Sequence, residues 1–398
     1  MSETATICFL ADRHDLYDDR IYWKMAVPLV KKGYQVHYLL IGKSDETGIT
    51  KEGVHFKIFK LKTFVSNRFL NFIFKRMNPN NNYKLLFKEA KSLKADIYHF
   101  HDLWINRLGP GLKNLKHQPV VFYDAREPYA DDYVSYVKSP VPWVVNTFAS
   151  WVDSWEKKQA RHYDLVISNE ITVQRNFAKE IGEDRSVVLY NYSDMIEYAE
   201  HVPVKDKCYD LIYCGAITEL RGAFEMIKAI NKAKSHFPEI KALFLGNYYP
   251  SSLKKELSDM LKKEDLIENI ILHDAVPYRK VADYYNKSKI GLVLLQKVKT
   301  FEVSMPIKIF EYMAFGLPII GSNFGHMKDY IQRDTCGIVV KPNDTEDISR
   351  AIIKMLKDEK LFMKYSKNGR NAAKLKYRWE LEFEKLTGYY KTALDARK

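Results

Sequence analysis

The stretch Ser304–Gly325, SMPIKIFEYMAFGLPIIGSNFG, carries a helix, its stop signal and a buried strand in one run. Pro306 suits a first helical turn, Ile309, Phe310 and Met313 supply a packing face, and Gly316 with Pro318 ends the helix. This predicts a helix of about three turns. The apolar run Leu317–Gly321 that follows is too short for a helix and reads as a buried strand. A helix delivered straight into a buried strand is the repeating unit of parallel α/β architecture.

The same rhythm extends in both directions. In the first half, strands are expected at 5–11, 35–41, 55–61, 96–101, 119–124 and 164–168. In the second they are expected at 210–214, 241–246, 269–273, 290–295, 317–321 and 337–340, with helical patterns between. Periodicity fades between Tyr190 and Lys207, a polar, acidic stretch with Pro203. The expected division is a Rossmann-like domain over 1–195, a second over 196–375, and a terminal helix over 376–398 packing back on the first. Two doubly wound sheets bind ligands beyond the carboxyl ends of their strands, so their strand ends are expected to face across a cleft.

The chain has 398 residues, 46% hydrophobic and 28% charged, which fits two or three domains and excludes wholesale disorder. Lys+Arg 63 against Asp+Glu 50 leaves a formal charge of +13, pointing to an anionic partner: nucleic acid, acidic lipid or a phosphorylated ligand. No apolar run approaches the roughly 20 residues of a spanning helix. The opening MSETATICFL starts acidic and enters a strand, unlike a secretory signal. The four cysteines form no CxxC and read as free thiols of a reducing cytoplasm.

Chemistry concentrates after strands. Lys308 and Glu311 lie three apart on the Pro306 helix, either as an ordinary surface pair or as a cation for a phosphate beside an acceptor for sugar hydroxyls. The loop Cys214–Gly222, CGAITELRG, brackets Arg221 with Gly215 and Gly222, where an arginine fork can hold a diphosphate. Neither GxGxxG nor a Walker sequence occurs, which removes the main support for dehydrogenase and P-loop readings. No Asp-x-Asp and no metal-ligand spacing occurs, so no metal and no cofactor is expected. In the first half, Asp12, Arg13 and His14, then His101 and Asp102, then Asp124, Arg126 and Glu127 follow strands, as ligand contacts or as caps of the next helix. His99 alternates with His101 onto one face and reads as a satisfied core histidine.

Together these residues resemble the retaining, GT-B-fold glycosyltransferases of family 4, in particular a bacterial surface-polysaccharide subgroup. Gly215–Gly222 is similar to that family's diphosphate loop, and Glu311–Pro318 to its acidic helix followed by Met-Ala-x-Gly-x-Pro. Asp19-Arg20-Ile21, Gly33-Tyr34-Gln35-Val36, His99-Phe100-His101-Asp102 and Tyr123-Asp124-Ala125-Arg126-Glu127 resemble its opening domain. The resemblance implies donor binding by Gly215, Arg221, Gly222, Lys308 and Glu311, with base contacts near Ala275 and Val276. It implies acceptor binding by Asp19, Arg20, His101, Asp102 and Arg126, and catalytic roles for Glu127, Arg221 and Glu311. The donor would be a UDP- or GDP-linked sugar, the acceptor lipid-linked or a glycan. Three positions depart from the pattern: Val303 replaces the first glutamate of an E-x7-E pair, leaving open whether Glu302 substitutes. Ala216 and Arg126 stand where relatives carry a basic residue and a histidine.

Between Glu52 and Glu89 every charged residue is basic, and Phe64–Met77 reads as an amphipathic helix rich in phenylalanine. It either packs on its own domain or docks on an anionic membrane surface. Trp143, Phe148, Trp151 and Trp155 form a second aromatic group, which either packs in the core, the default reading, or lines the same side. The expected protein is thus a cytoplasmic glycosyltransferase, peripheral on the inner face of the plasma membrane. The alternative is a non-catalytic GT-B partner in an assembly complex. Nucleic-acid binding ranks last, because no recognition motif accompanies the charge.

Overall fold

The computed structural model describes residues 5–12, 14–61, 81–137, 141–200 and 202–397; Arg13 and the helix read over Phe64–Met77 lie outside them. The chain divides into two compact units, Met1–Asn191 with Glu380–Lys398, and Tyr192–Trp379.

The first unit is built on β1 (Thr6–Asp12), β2 (Gln35–Gly42), β3 (Glu46–Ile49), β4 (His55–Lys60), β5 (Ile97–His101), β6 (Val120–Ala125), β7 (Leu165–Ser168) and β8 (Ser186–Val188). Their order is β3-β4-β2-β1-β5-β6-β7-β8, parallel throughout except for the β3–β4 pair. β1, β5 and β6 are buried along nearly their whole length, as parallel strands covered on both faces must be. The last helix, Trp379–Asp395, sets Tyr390 fully buried against Phe122 at 5.2 Å between rings.

The second unit carries β9 (Tyr209–Cys214), β10 (Ala242–Leu245), β11 (Ile270–His273), β12 (Ser288–Val293), β13 (Ile319–Ser322) and β14 (Gly337–Val340). All are parallel, in the order β11-β10-β9-β12-β13-β14. Helix Ala223–Lys234 buries Ala223, Met226, Ile227 and Ile230, an i, i+3, i+4, i+7 stripe, and helix Thr345–Lys357 buries Ile348, Ile352 and Met355 in the same core.

Both sheets therefore have the doubly wound, Rossmann-like arrangement expected from the sequence, with switch points between β1 and β5 and between β9 and β12. Sequence reading missed β3 and β8: Glu-Thr-Gly-Ile is an exposed antiparallel edge without apolar alternation, and β8 has three residues. The Pro306 helix is also shorter than expected. It spans Lys308–Ala314, because Lys299–Val303 forms a separate short helix and Ser304 after it is extended.

Candidate functional site

In the second unit, the loops at the carboxyl ends of β9 and β10 touch through glycine backbone. Gly215 (φ 122°) and Gly246 (φ 157°) have conformations closed to other residues, and a Cβ on Gly246 would lie 1.8 Å from the Gly215 carbonyl oxygen. Gly222 (φ 79°) N-caps helix Ala223–Lys234, and a Cβ there would lie 2.3 Å from the Leu294 carbonyl oxygen. Between them, Thr218 Oγ1 accepts from the Arg221 amide at 3.1 Å, closing a turn that sets the Arg221 guanidinium 5.6 Å from the Phe301 ring centroid.

The Lys308 helix is staked to the same edge by its tyrosine. Gly291 leaves room for the Tyr312 ring, and Tyr312 Oη accepts from the Cys214 amide at 3.2 Å. This brings Lys308 beside the β9 loop: a Cβ on Gly215 would lie 3.0 Å from Lys308 Nζ. Nζ donates to Tyr213 Oη at 3.2 Å, and Tyr213 Oη donates to the Ala216 carbonyl at 2.7 Å. Tyr285 Oη donates to Glu311 Oε2 at 2.7 Å. Lys308 and Glu311 are both buried, so they are no exposed surface pair. Burial and the Glu311 charge push the neighbouring Cys214 thiol up to about 12, leaving it protonated. Ala275 is exposed and Val276 half-buried just after β11, and the helix that follows them carries Tyr285.

The carboxyl edge of the first sheet is furnished with charge. Asp18 caps the π-helix Asp19–Ala26, its Oδ1 accepting from the Arg20 and Ile21 amides at 3.0 and 2.8 Å. Arg20, fully buried, forks onto Asp124 with Nε–Oδ2 at 2.9 Å and Nη2–Oδ1 at 3.3 Å. His14 Nδ1 lies 2.8 Å from Asp18 Oδ2 and its Nε2 2.9 Å from Asp102 Oδ2. Two carboxylates on two ring nitrogens require imidazolium. Burial alone would lower this pKa, yet Asp102 and Asp18 outweigh both burial and Arg126 and raise it to about 10. Arg126 Nη1 lies 3.5 Å from Asp18 Oδ2, and Asp102 has a left-handed backbone (φ 79°). Asp19 approaches Lys24 at 3.5 Å and Arg126 at 4.0 Å. Glu127 is exposed in the loop after β6.

His99 and His101 do share a face: their rings stack at 4.6 Å, and His99 Nδ1 meets Tyr390 Oη at 2.5 Å. Burial lowers His99 to about 4 and His101 well below its usual range, so both are neutral at pH 7. His99, His101 and Asp124 offer three atoms within 4.8 Å of one another, a donor set that sequence spacing did not reveal because Asp124 enters from another strand. The carboxylate is already held by the Arg20 cation, whose charge opposes a metal there. The structure thus gathers Asp19, Arg20, His101, Asp102 and Arg126 at one sheet edge, and Gly215, Arg221, Gly222, Lys308 and Glu311 at the other. Sequence reading missed Asp18, Tyr213 and Tyr285. None follows a recognisable motif, and Tyr285 meets Glu311 from 26 residues away.

Residues 194–372 match the family model described as Glycosyl transferases group 1. The match falls within the second unit and is a likeness to that family. Glycosyltransferases are the class that the sequence resembles, and the Gly215–Lys308 site lies within the matched stretch. An uncharacterized glycosyltransferase of Methanocaldococcus jannaschii is 25% identical over 263 residues, 59% of this chain and 63% of its own. N-acetyl-alpha-D-glucosaminyl L-malate synthase of Bacillus anthracis is 23% identical over 208 residues, 51% of this chain and 50% of its own. The chain therefore spans between half and two thirds of the length of these relatives.

Among solved structures, sucrose-phosphate synthase from Thermosynechococcus elongatus superposes with a TM-score of 0.73 at 14% identity, covering 98% of this chain and 100% of that one. HepE of Anabaena in complex with UDP-glucose gives 0.72 at 14% identity, covering 97% and 99%. WaaG, a glycosyltransferase involved in lipopolysaccharide biosynthesis, gives 0.69 at 15% identity, covering 99% of each. At these identities the likeness is one of fold, and the fold is GT-B.

Proposed function

We propose that the protein is a retaining glycosyltransferase that moves a sugar from a UDP- or GDP-linked donor to a lipid-linked or polysaccharide acceptor. Its place would be bacterial surface polysaccharide synthesis (capsule, O-antigen or exopolysaccharide), at the cytoplasmic face of the plasma membrane. The observation that carries this reading is the buried Lys308 ammonium held against Gly215, where a side chain would otherwise block an approaching diphosphate. HepE, of the same fold, binds UDP-glucose, and WaaG acts in lipopolysaccharide biosynthesis.

In this mechanism Lys308 and Arg221 hold the diphosphate and stabilise the charge that grows as the glycosidic bond to phosphate breaks. Glu311, held by Tyr285, accepts hydrogen bonds from donor hydroxyls. Backbone at Ala275 and Val276 meets the base. The acceptor hydroxyl attacks the face the phosphate leaves, and its proton passes to the departing phosphate. Glu127 stabilises the oxocarbenium-like centre or orients the acceptor. His101, Asp102, Arg126, Asp19 and Arg20 form or support the acceptor side.

The test is a panel of UDP- and GDP-sugars offered to the full chain with acceptor extracts. Transfer with retained anomeric configuration, lost in Arg221→Ala and Glu311→Gln, is expected. No donor binding or hydrolysis by any nucleotide sugar would sink the proposal. Donor binding without transfer would point to the non-catalytic partner instead, a reading favoured by Val303 and by Glu302 pairing with Lys297 at 3.4 Å.

A further inference from the structure

Helix Pro142–Ala160 of the first unit turns Ala149, Val152, Glu156 and Ala160 into the core. Its opposite face carries Trp143, Thr147, Ser150, Trp151, Ser154 and Lys158, spaced i, i+4, i+7, i+8, i+11 and i+15. Trp143 is 69% exposed and Trp151 45%, and Val141, Pro142 and Val144 beside Trp143 are exposed as well. Four successive exposed apolar residues at a helix start are costly on a surface that meets only water.

The polar groups on this face are arranged for a less polar medium. Thr147 Oγ1 donates to the Trp143 carbonyl at 2.8 Å, and Ser154 Oγ donates to the Ser150 carbonyl at 2.9 Å. Hydroxyls folded back onto the helix backbone present carbon outward and need no partner from outside. A face meant to recognise sugar hydroxyls or a polar protein surface would leave those donors available.

Charge points the same way. The outward face has no carboxylate: Asp153 is paired with Lys157 at 2.7 Å, and Glu156 is buried, accepting from Tyr123. Lys158 lies on the face itself, exposed. Tryptophans beside an exposed lysine, on a face without a carboxylate, are complementary to anionic headgroups over an acyl boundary. Among the described residues no helix is long and apolar enough to cross a membrane, so contact would be interfacial.

We infer that the outward face of helix Pro142–Ala160, led by Trp143 and Trp151, docks the protein on an anionic lipid bilayer. This deepens the reading above by assigning the membrane of a lipid-linked acceptor a defined surface on the chain. Trp143 and Trp151 belong to the second aromatic group of the sequence, for which core packing is the default reading; Phe64–Met77 lies outside the described residues.

The test is flotation of the full chain with phosphatidylcholine vesicles, with and without phosphatidylglycerol. Wild type is expected to float with the anionic vesicles, and brominated lipid to quench its tryptophan fluorescence. Trp143→Ser with Trp151→Ser should lower partitioning about tenfold or more, and Lys158→Glu about fivefold on anionic vesicles only. These exposed changes leave the fold intact, as the circular dichroism melt should show, and leave donor hydrolysis in solution unchanged. Absence of flotation overturns the inference, as does unchanged flotation of the double variant. So does a result in which the face joins two copies or binds glycan while vesicles go unbound. Loss of donor turnover with flotation intact would break the glycosyltransferase reading and leave this one standing.

Discussion

The two sheets share a strand order yet furnish their carboxyl edges in different ways. At the β1/β5 switch point, His14, Arg20 and Arg126 are distributed over Asp18, Asp102 and Asp124, and the charges largely answer one another. At the β9/β12 switch point the edge is shaped by Gly215, Gly222 and Gly246, with a lysine and a glutamate drawn under the surface and held by tyrosines. The first arrangement stores stability in charge pairs. The second trades side chains for space beside one buried cation, which suits a ligand that brings negative charge of its own.

The contrast can be broken by substitution. Asp124→Ala strands the buried Arg20 guanidinium, at an expected cost of about 3–5 kcal/mol. Lys308→Ala, by contrast, should cost less than about 2 kcal/mol of stability, because its ammonium meets the neutral Tyr213 hydroxyl and ring rather than a carboxylate. Urea unfolding of the two variants compares them, and equal losses would erase the distinction. Gly246→Ala should destabilise by roughly 3 kcal/mol, since the Gly215 backbone occupies the position of the new methyl group. A variant as stable as wild type would show that these loops are not in contact.

The charged edge should also leave a pH signature that the glycine edge lacks. His14 is raised to about 10, so its stabilisation is fully present below pH 6.5, the unfolded value, and declines as pH rises toward 10. The slope is at most about 1.4 kcal/mol per pH unit. His14→Gln should flatten it, and an unchanged slope would remove His14 from the network. The buried neutral His99 acts in the opposite direction: its contribution is present above pH 6.5 and lost as pH falls toward about 4. The smallest effect belongs to Tyr285→Phe, which removes one hydrogen bond to Glu311, worth about 1 kcal/mol. Read as donor affinity, that is about fivefold; no change would leave Glu311 positioned by other contacts.

Much of this organisation was legible before the structure. Buried parallel strands announce themselves as short apolar runs, and residues after them are the ones a doubly wound sheet presents to ligands. Gly215, Arg221, Gly222, Lys308 and Glu311 were accessible by that logic. What stayed hidden was pairing across distance. His14 follows β1 and was visible as a strand-end residue, yet nothing in its neighbourhood says that Asp102, 88 residues on, will grip its second nitrogen. Tyr285 looks like any core aromatic until its hydroxyl is found on Glu311. The short edge strands escaped because β3 is exposed, β8 has only three residues, and neither carries an alternation to detect.

The central proposal is that the glycine-lined edge of the second unit is a nucleotide diphosphate site with Lys308 as its buried cation. Calorimetric titration of UDP and GDP into wild type and Lys308→Ala tests it most directly. One nucleotide should bind wild type with one-to-one stoichiometry and bind Lys308→Ala about 10- to 100-fold more weakly, the range expected for a lost hydrogen bond to a charged group. Binding of neither nucleotide, or equal affinity for both proteins, would contradict the account.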